Sequence, residues 1–298
     1  MTDDVPQVIS GRDLWQWRSQ ALSAATAAAI DEYEVDWLLQ HLLGCDRLTL
    51  RLESDQAQLA VPLSLAELDQ IWQQRISDRV PVQYLVGSTT WREFVLQVSP
   101  AVLIPRPETE ALIDLARHSL PALQGGHWVD LGTGSGAIAI GLAAAFTQAT
   151  IHAVDCSAAA LAIAQTNAQT TGFGDRIRFY HGDWLTPLAA LQGQLSGIIA
   201  NPPYIPSALV LSLQPEVTHH EPHLALDGGP DGLNCLRQII QTAPAYLRPH
   251  AVWMVEIMAG QANAVVDLLT QQGDYDRIAI HRDLAKIERF VVARRKEL

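Results

Sequence analysis

The stretch "HWVDLGTGSGAIAIGLAAAF", residues 127–146, decides the architecture of the chain. It opens as an apolar strand through Leu131 and resumes as a helix from Ala137, with glycines at 132, 134 and 136 between the two. Glycine has no Cβ, so such a turn bends tightly and lets a ligand approach the backbone. A strand that passes into a helix over a glycine-rich turn is a building unit of an open α/β sheet, in which ligands bind beyond the carboxyl ends of the strands. Gly132, Thr133, Gly134, Ser135 and Gly136 are therefore candidate cofactor contacts. Gly132, Gly134 and Ala137 also satisfy the dinucleotide pattern G-x-G-x-x-G/A, so the turn alone does not choose the cofactor.

The alternation continues downstream. "TIHAVD" (150–155), "IRFYHGD" (177–183), "LSGIIANPP" (195–203) and "AVWMVEI" (251–257) read as strands, and "SAAALAIAQTNAQTTG" (157–172), "GLNCLRQIIQTAPAYL" (232–247) and "QANAVVDLLTQQG" (261–273) as helices. Apolar strands spaced by helices predict an α/β fold with a mostly parallel sheet covered on both faces. "YDRIAIHRD" (275–283) and "RFVVARR" (289–295) bring the strands to seven and have no helix between them, which predicts an antiparallel edge.

Upstream the pattern changes. "EFVLQV" (93–98) alternates as short strands do and suits a hairpin, and "IPRPETE" (104–110) is a proline-stiffened turn into a helix carrying Leu112, Ile113 and Leu115. Residues 1–80 read as helix alone. "YEVDWLLQHLLG" (33–44) puts Val35, Leu38, Leu39, Leu42 and Leu43 on one helical face, with Gly44 placed to end it. Ser64 and Glu67 make a capping-box pattern ahead of Leu68, Ile71, Trp72 and Ile76. The expected organisation is a small helical bundle over 1–82, a β-hairpin linker over 83–104 and an α/β domain over 105–298.

Of the 298 residues, 48% are hydrophobic and 17% charged, a globular rather than a disordered composition. The formal net charge is −12, and no Lys/Arg cluster stands out. Affinity built on neutralising phosphates needs the opposite sign, so no direct nucleic-acid partner is expected. Over residues 1–80 there are thirteen acidic and six basic side chains, a net charge of −7, which is either a solvated face or a docking face for a basic partner. "MTDDVPQVIS" (1–10) has neither the basic nor the apolar region of a secretory signal, and no apolar run is long enough for a membrane span. Three scattered cysteines without metal-ligand spacing fit reduced thiols in the cytoplasm and no metal. A monomer is expected.

Three strand ends carry the candidate chemistry. Asp155 closes "IHAVD" about 20 residues beyond the glycines, where a carboxylate can accept both hydroxyls of a ribose. Its other reading is a cap on the helix that starts at Ser157. NAD and S-adenosylmethionine both carry an adenosine ribose, so Asp155 does not separate them. In "HGDW" (181–184), Asp183 can accept from an adenine amino group and Trp184 can cover the ring; a structural turn with a packed indole is the plain alternative. "NPPY" (201–204) separates the cofactors. Pro202 and Pro203 have no N–H and a fixed φ, so they hold still the carbonyls before them. The Asn201 side-chain oxygen and the Pro202 carbonyl can each accept one hydrogen of a planar NH₂ group, and Tyr204 can stack on its plane. Asn201, Pro202, Pro203 and Tyr204 are thus candidate catalytic and substrate-binding residues, a clamp for a nitrogen that acts as nucleophile.

With the glycine turn, Asp155 and "NPPY" together, the chain resembles a class I S-adenosylmethionine-dependent N-methyltransferase of Rossmann-like fold. "PVQYLVG" (81–87), "VLIPRPETE" (102–110), "NPPYIP" (201–206), "EPHLALDGGPDGL" (221–233) and "EIMAGQ" (256–261) narrow this, because in order and spacing they are similar to the peptide-chain release factor glutamine N5-methyltransferase family. His220, before Glu221, departs from the aromatic residue common there. The resemblance implies a substrate, the glutamine of the GGQ tripeptide in class 1 release factors, and a product cofactor, S-adenosylhomocysteine. It implies that Gly132 to Gly136, Asp155, Trp184 and Asn201 contact the donor, and that Asn201 to Tyr204 hold the glutamine. Glu108, Glu221 and Asp227 lie near the site by motif order and receive no proton-transfer role. Two alternatives are an amino-group methyltransferase acting on adenine or guanine in nucleic acid, and a nucleotide-binding module without chemistry.

Overall fold

The first of two units into which the chain divides, Met1–Gly87, carries helices around one apolar centre. The computed structural model describes residues 7–52, 54–119 and 125–297. Met1 to Pro6, read above as part of a segment without a secretory signal, lie outside the described residues. Strand β1 (Gln7–Ser10) leads into α1 (Gly11–Ala27), where the Ser10 hydroxyl accepts the Asp13 amide as N-cap. Helices α2 (Tyr33–Leu43) and α3 (Arg47–Leu52) follow, then β2 (Gln58–Val61), α4 (Leu65–Ser77) and α5 (Val82–Val86). Gly44 ends α2 at φ 69°, a left-handed turn that glycine adopts freely. The Ser64–Glu67 capping box forms in both directions. Leu14, Leu38, Leu39, Leu68 and Trp72 fill the centre, each apolar side chain buried there contributing roughly 1.5–3 kcal/mol. Arg75, nearly buried, is ion-paired with Glu34. The reading of residues 1–80 as helix alone is corrected by β1 and β2, which pair antiparallel, Gln7 opposite Val61. Four-residue strands about fifty positions apart leave no alternation long enough to read.

In the second unit, Ser88–Leu298, strands β3 (Ser88–Trp91) and β4 (Phe94–Gln97) form the expected hairpin, and a 3₁₀ turn over Pro107–Glu110 leads into α6 (Ala111–Ser119). The α/β series is β5 (Gly125–Leu131), α7 (Ala137–Ala145), β6 (Gln148–Asp155), α8 (Ala158–Thr170), β7 (Ile177–His181) and β8 (Leu195–Ala200). After β8 come the short helices α9 (Ser207–Val210) and α10 (Pro215–His220), then α11 (Asn234–Thr242), β9 (Leu247–Glu256), α12 (Ala262–Gln272), β10 (Tyr275–Arg282) and β11 (Glu288–Arg295).

Seven strands make one sheet in the order β10-β11-β9-β8-β5-β6-β7. The five from β7 to β9 are parallel, and β11 lies antiparallel between β9 and the edge strand β10. Because β5 continues to β6 on one side while β8 and β9 lie on the other, the order reverses between β5 and β8, where open α/β sheets bind ligands. Leu131 ends β5 directly opposite Ala200, which ends β8. The glycine turn and Asn201 therefore leave the sheet from neighbouring strands.

Successive strand residues sort to the two faces. Val129, Leu131, Ile198 and Trp253 belong to one apolar layer, Trp128, Ile199, Val252 and Met254 to the other. The Trp128 ring stacks on Phe146 with centroids 4.5 Å apart. Its neighbour across the ladder is Gly197, where an added Cβ would stand 2.3 Å from the indole. Among the described residues no helix is long and apolar enough to cross a membrane.

Candidate active site

A cleft of about 380 Å³ opens beyond the carboxyl ends of β5, β6 and β8, within the range of small-molecule sites. Gly132, Gly134 and Gly136 take φ values of 73°, 53° and 85°, all in the left-handed region. A Cβ on Gly136 would press on Ala164 of α8 at 3.2 Å, so this glycine serves packing, whereas one on Gly134 would meet nothing within 4 Å. Gly134 thus presents bare backbone to the cleft. The turn is anchored by the Gly132 and Thr133 amides, which both donate to the Val154 carbonyl.

Beneath it, Asp130 is fully buried. Its Oδ2 accepts the Thr133 hydroxyl at 2.6 Å and the Ala139 amide at 3.0 Å, tying the turn to the start of α7. Burial pushes its pKa up to about 7 against those two donors.

Asp155 lines the cleft and accepts the Gly134 amide at 2.8 Å and the Ser157 amide at 2.9 Å, one on each oxygen. The N-cap of α8 is Ser157 itself, whose hydroxyl accepts the Ala160 amide. Asp155 stands two residues earlier, free of the capping task. Trp184 takes φ 46°, costly for a bulky residue, and lines the cleft beside Gly132. Asp183 also lines it and accepts the Gln238 side chain at 3.1 Å.

On the other wall Asn201 and Pro203 line the cleft with Arg106, Thr109 and Leu224. Asn201 Nδ2 donates to the Thr109 hydroxyl at 3.3 Å, and that hydroxyl donates to Glu256 Oε2 at 2.6 Å. The Tyr204 hydroxyl donates to the other oxygen, Oε1, at 3.1 Å. Pro202 is buried, and neither it nor Tyr204 is among the residues lining the cleft. Glu256 is almost completely enclosed, and burial raises its pKa, opposed by the Thr109 and Tyr204 hydroxyls. Tyr204 is raised as well, by burial first and the Glu256 charge second.

The turn after Asn201 is stapled from behind. Gln261 donates to the Tyr204 carbonyl at 2.9 Å and accepts the Met258 amide at 3.0 Å. Ile205 bridges to Asp227, with Ile205 N on the Leu226 carbonyl and Gly228 N on the Ile205 carbonyl. At the rim, Arg106 donates to the nearly buried Glu221 at 2.6 Å. Burial raises the Glu221 carboxyl and Arg106 opposes the shift.

The cleft thus brings together Gly132, Thr133, Gly134, Ser135, Asp155, Asp183, Trp184, Asn201 and Pro203 from the sequence-based set. Thr109, Glu256, Gln261 and Arg106 were not in it; Glu221, expected near the site by motif order and given no role, stands on Arg106 at the rim. A signal for Glu256 existed, a single carboxylate closing the apolar run of residues 251–255, as Asp130 nearly closes β5.

Comparison with known proteins adds lineage. The family described as Methyltransferase small domain matches residues 109–214, and that described as PrmC N-terminal domain matches residues 13–87. A release factor glutamine methyltransferase of Synechocystis sp. is 53% identical over 291 residues, covering 96% of this chain and 97% of that protein. The protein of the same name from Thermosynechococcus vestitus is 48% identical, covering 94% and 96%. Among solved structures, the hMettl16 catalytic domain in complex with MAT2A 3'UTR hairpin 6 superposes with a TM-score of 0.56 at 14% identity, covering 76% of this chain and 80% of that one. At that identity the likeness is one of fold.

Proposed function

The chain belongs to the release factor glutamine methyltransferase family, and on that premise we propose that it methylates the side-chain amide nitrogen of the glutamine in the GGQ tripeptide of class 1 peptide-chain release factors. Its methyl donor is S-adenosylmethionine, which leaves as S-adenosylhomocysteine. The observation that carries this reading is the wall formed by Asn201. Its NH₂ group is turned to Thr109, its Oδ1 has no partner among the described residues, and two prolines stiffen the backbone that follows. An acceptor held that way suits an N–H donor, as an amide nitrogen is.

The residues present fit the donor. Gly134 leaves open backbone in a cleft of about 380 Å³, the Asp155 carboxylate suits a pair of ribose hydroxyls, and Trp184 offers a ring face at the same end. S-adenosylmethionine, when bound there, supplies a methyl group made electrophilic by a positive sulfur.

An amide nitrogen is a poor nucleophile because its lone pair is delocalised into the carbonyl. The protein's contribution is therefore position. Orientation of two reactants can supply roughly 7–11 kcal/mol. Asn201 Oδ1, on the cleft wall, accepts an N–H bond of the glutamine amide and favours positive charge developing on nitrogen, an electrostatic gain of about a few kcal/mol. One proton leaves the nitrogen after its bond to carbon has begun to form. N-protonated amides are strongly acidic, so water suffices to take it.

Residues 1–82 are read as the part that docks the body of the release factor, and the −7 charge over residues 1–80 supports a basic partner face. The net charge of −12 likewise supports a protein substrate over a nucleic acid. We read the protein as a cytoplasmic monomer. The test is mass spectrometry of the GGQ peptide from release factor incubated with protein and donor, with total RNA and DNA as parallel acceptors. One added methyl group on the glutamine, and none on nucleic acid, is the expected result. Methyl transfer to RNA or DNA alone would overturn the reading.

A further inference from the structure

We propose that Glu256 is a positioning residue that decides which way round the Asn201 amide faces, oxygen to the cleft and nitrogen to the interior. The proposal rests on reading Asn201 as the clamp for a glutamine amide.

The register of the sheet places the two residues together. Ala200 pairs with Val255 across β8 and β9, so Asn201 and Glu256 are the next residues on two adjacent parallel strands. The Thr109 hydroxyl stands between them, 3.3 Å from Asn201 Nδ2 and 2.6 Å from Glu256 Oε2. A primary amide is nearly symmetric in shape, and either end of Asn201 could meet a hydroxyl, which both donates and accepts. What breaks the symmetry is the carboxylate, which only accepts. The Thr109 hydroxyl spends its one hydrogen on Glu256 Oε2, 2.6 Å away. The Thr109 oxygen then offers Asn201 lone pairs alone, so the NH₂ turns inward and Oδ1 turns out.

Tyr204 reports the same polarity. Its hydroxyl donates to the second oxygen, Glu256 Oε1, so one carboxylate reads two hydroxyls and orients both polar side chains of the turn. Glu256 lies outside the set of residues lining the cleft, and both of its oxygens are engaged. It acts through Thr109 and Asn201 rather than on substrate. With the amide reversed, the cleft would present a donor to another donor, and the glutamine NH₂ would be repelled where it should be held.

The test compares Glu256→Leu, Thr109→Val and Thr109→Ser in the full chain. On intact release factor, Glu256→Leu and Thr109→Val should each lose at least about tenfold in kcat, with S-adenosylhomocysteine affinity within about threefold of wild type; Thr109→Ser, which keeps the hydroxyl, should recover most of the rate. The second measurement needs no substrate. Hydrogen exchange of the ¹⁵N-labelled Asn201 side-chain amide, identified by its absence in Asn201→Ser, should be slow in the wild type. It should be at least about tenfold faster in Thr109→Val. Wild-type rates in Glu256→Leu, or a loss there that Thr109→Val does not share, would overturn the proposal, as would unchanged exchange in Thr109→Val. If Glu256→Leu does not fold, Thr109→Val alone decides. Wild-type protein that fails to methylate release factor sinks the functional reading instead, and the exchange measurement still judges Glu256.

Discussion

Asp155 and Gly134 are joined by a hydrogen bond of 2.8 Å, from the glycine amide to the carboxylate. The residue that closes β6 thereby holds the turn that follows β5, and its second oxygen is held by Ser157 at 2.9 Å. An ionised carboxylate has about four lone-pair positions, so two remain for ribose hydroxyls.

Asp155→Ala should weaken donor binding by about 1.5–3 kcal/mol, the cost of charge-assisted hydrogen bonds. Calorimetric titration with S-adenosylhomocysteine measures it. Unchanged affinity would mean that Asp155 serves only the turn.

Asn201→Ala should remove most turnover while the donor still binds, more weakly. Single-turnover rates with saturating release factor provide the measurement. A mutant retaining more than about a tenth of the wild-type rate, a change under ~1.4 kcal/mol, would refute the clamp.

Gly197→Ala should destabilise the second unit without touching the cleft. Its Cβ would stand 2.3 Å from the Trp128 ring, which is itself stacked on Phe146. Overpacking of this kind costs about 1–3 kcal/mol, to be read from urea midpoints. Full stability in the alanine variant would show that the indole can shift freely.

Acid should weaken the fold through His152. Its ring is enclosed, with Nε2 3.0 Å from His127 and Nδ1 3.0 Å from the Tyr180 hydroxyl. Burial first, then the charges of His127 and Arg178, lower its pKa from 6.5 to about 4. Between those values the unfolded chain takes up a proton that the folded one refuses. This contribution is therefore complete above about pH 6.5 and is lost as pH falls toward 4, by up to on the order of 3 kcal/mol. Denaturant unfolding across that range should show His152→Gln losing less stability than wild type; parallel losses would exclude His152 as a source.

A chain beginning at Ser88 should keep donor binding but lose most of its kcat/KM on intact release factor, and much less on a short GGQ peptide. Rising salt should reproduce part of that loss in the full chain, because exposed charges are screened. Equal losses on both substrates would leave residues 1–87 with a stabilising role only.

Sequence pattern reached the parts of this fold that repeat. The strand–helix alternation, the glycine turn and the capping box at Ser64 are local, and local spacing is what a sequence displays. Asp155 and Asn201 were legible because each ends an apolar run at the sheet's carboxyl edge. Thr109 was not, since it reads as one residue of a proline-stiffened turn and meets Asn201 only across 92 positions. Arg106 and Glu221 are 115 positions apart, and nothing in either segment announces the other. Tyr204 was read as a stacking surface. The structure engages its hydroxyl with Glu256, a contact set by strand register rather than by the motif.

The pairing of Leu131 with Ala200 has a consequence for what the chain can tolerate. It works as a ruler. The glycine turn and Asn201 follow two residues that face each other on one rung of a hydrogen-bonded ladder, so their spacing is inherited from the strands and not from the loops themselves. Sliding β8 by one rung would carry Asn201 about 3.3 Å along the sheet and turn it to the opposite face. An insertion within β5 or β8 would therefore disturb that spacing even where the protein still folds, while one at the outer strand β7 would leave it unchanged.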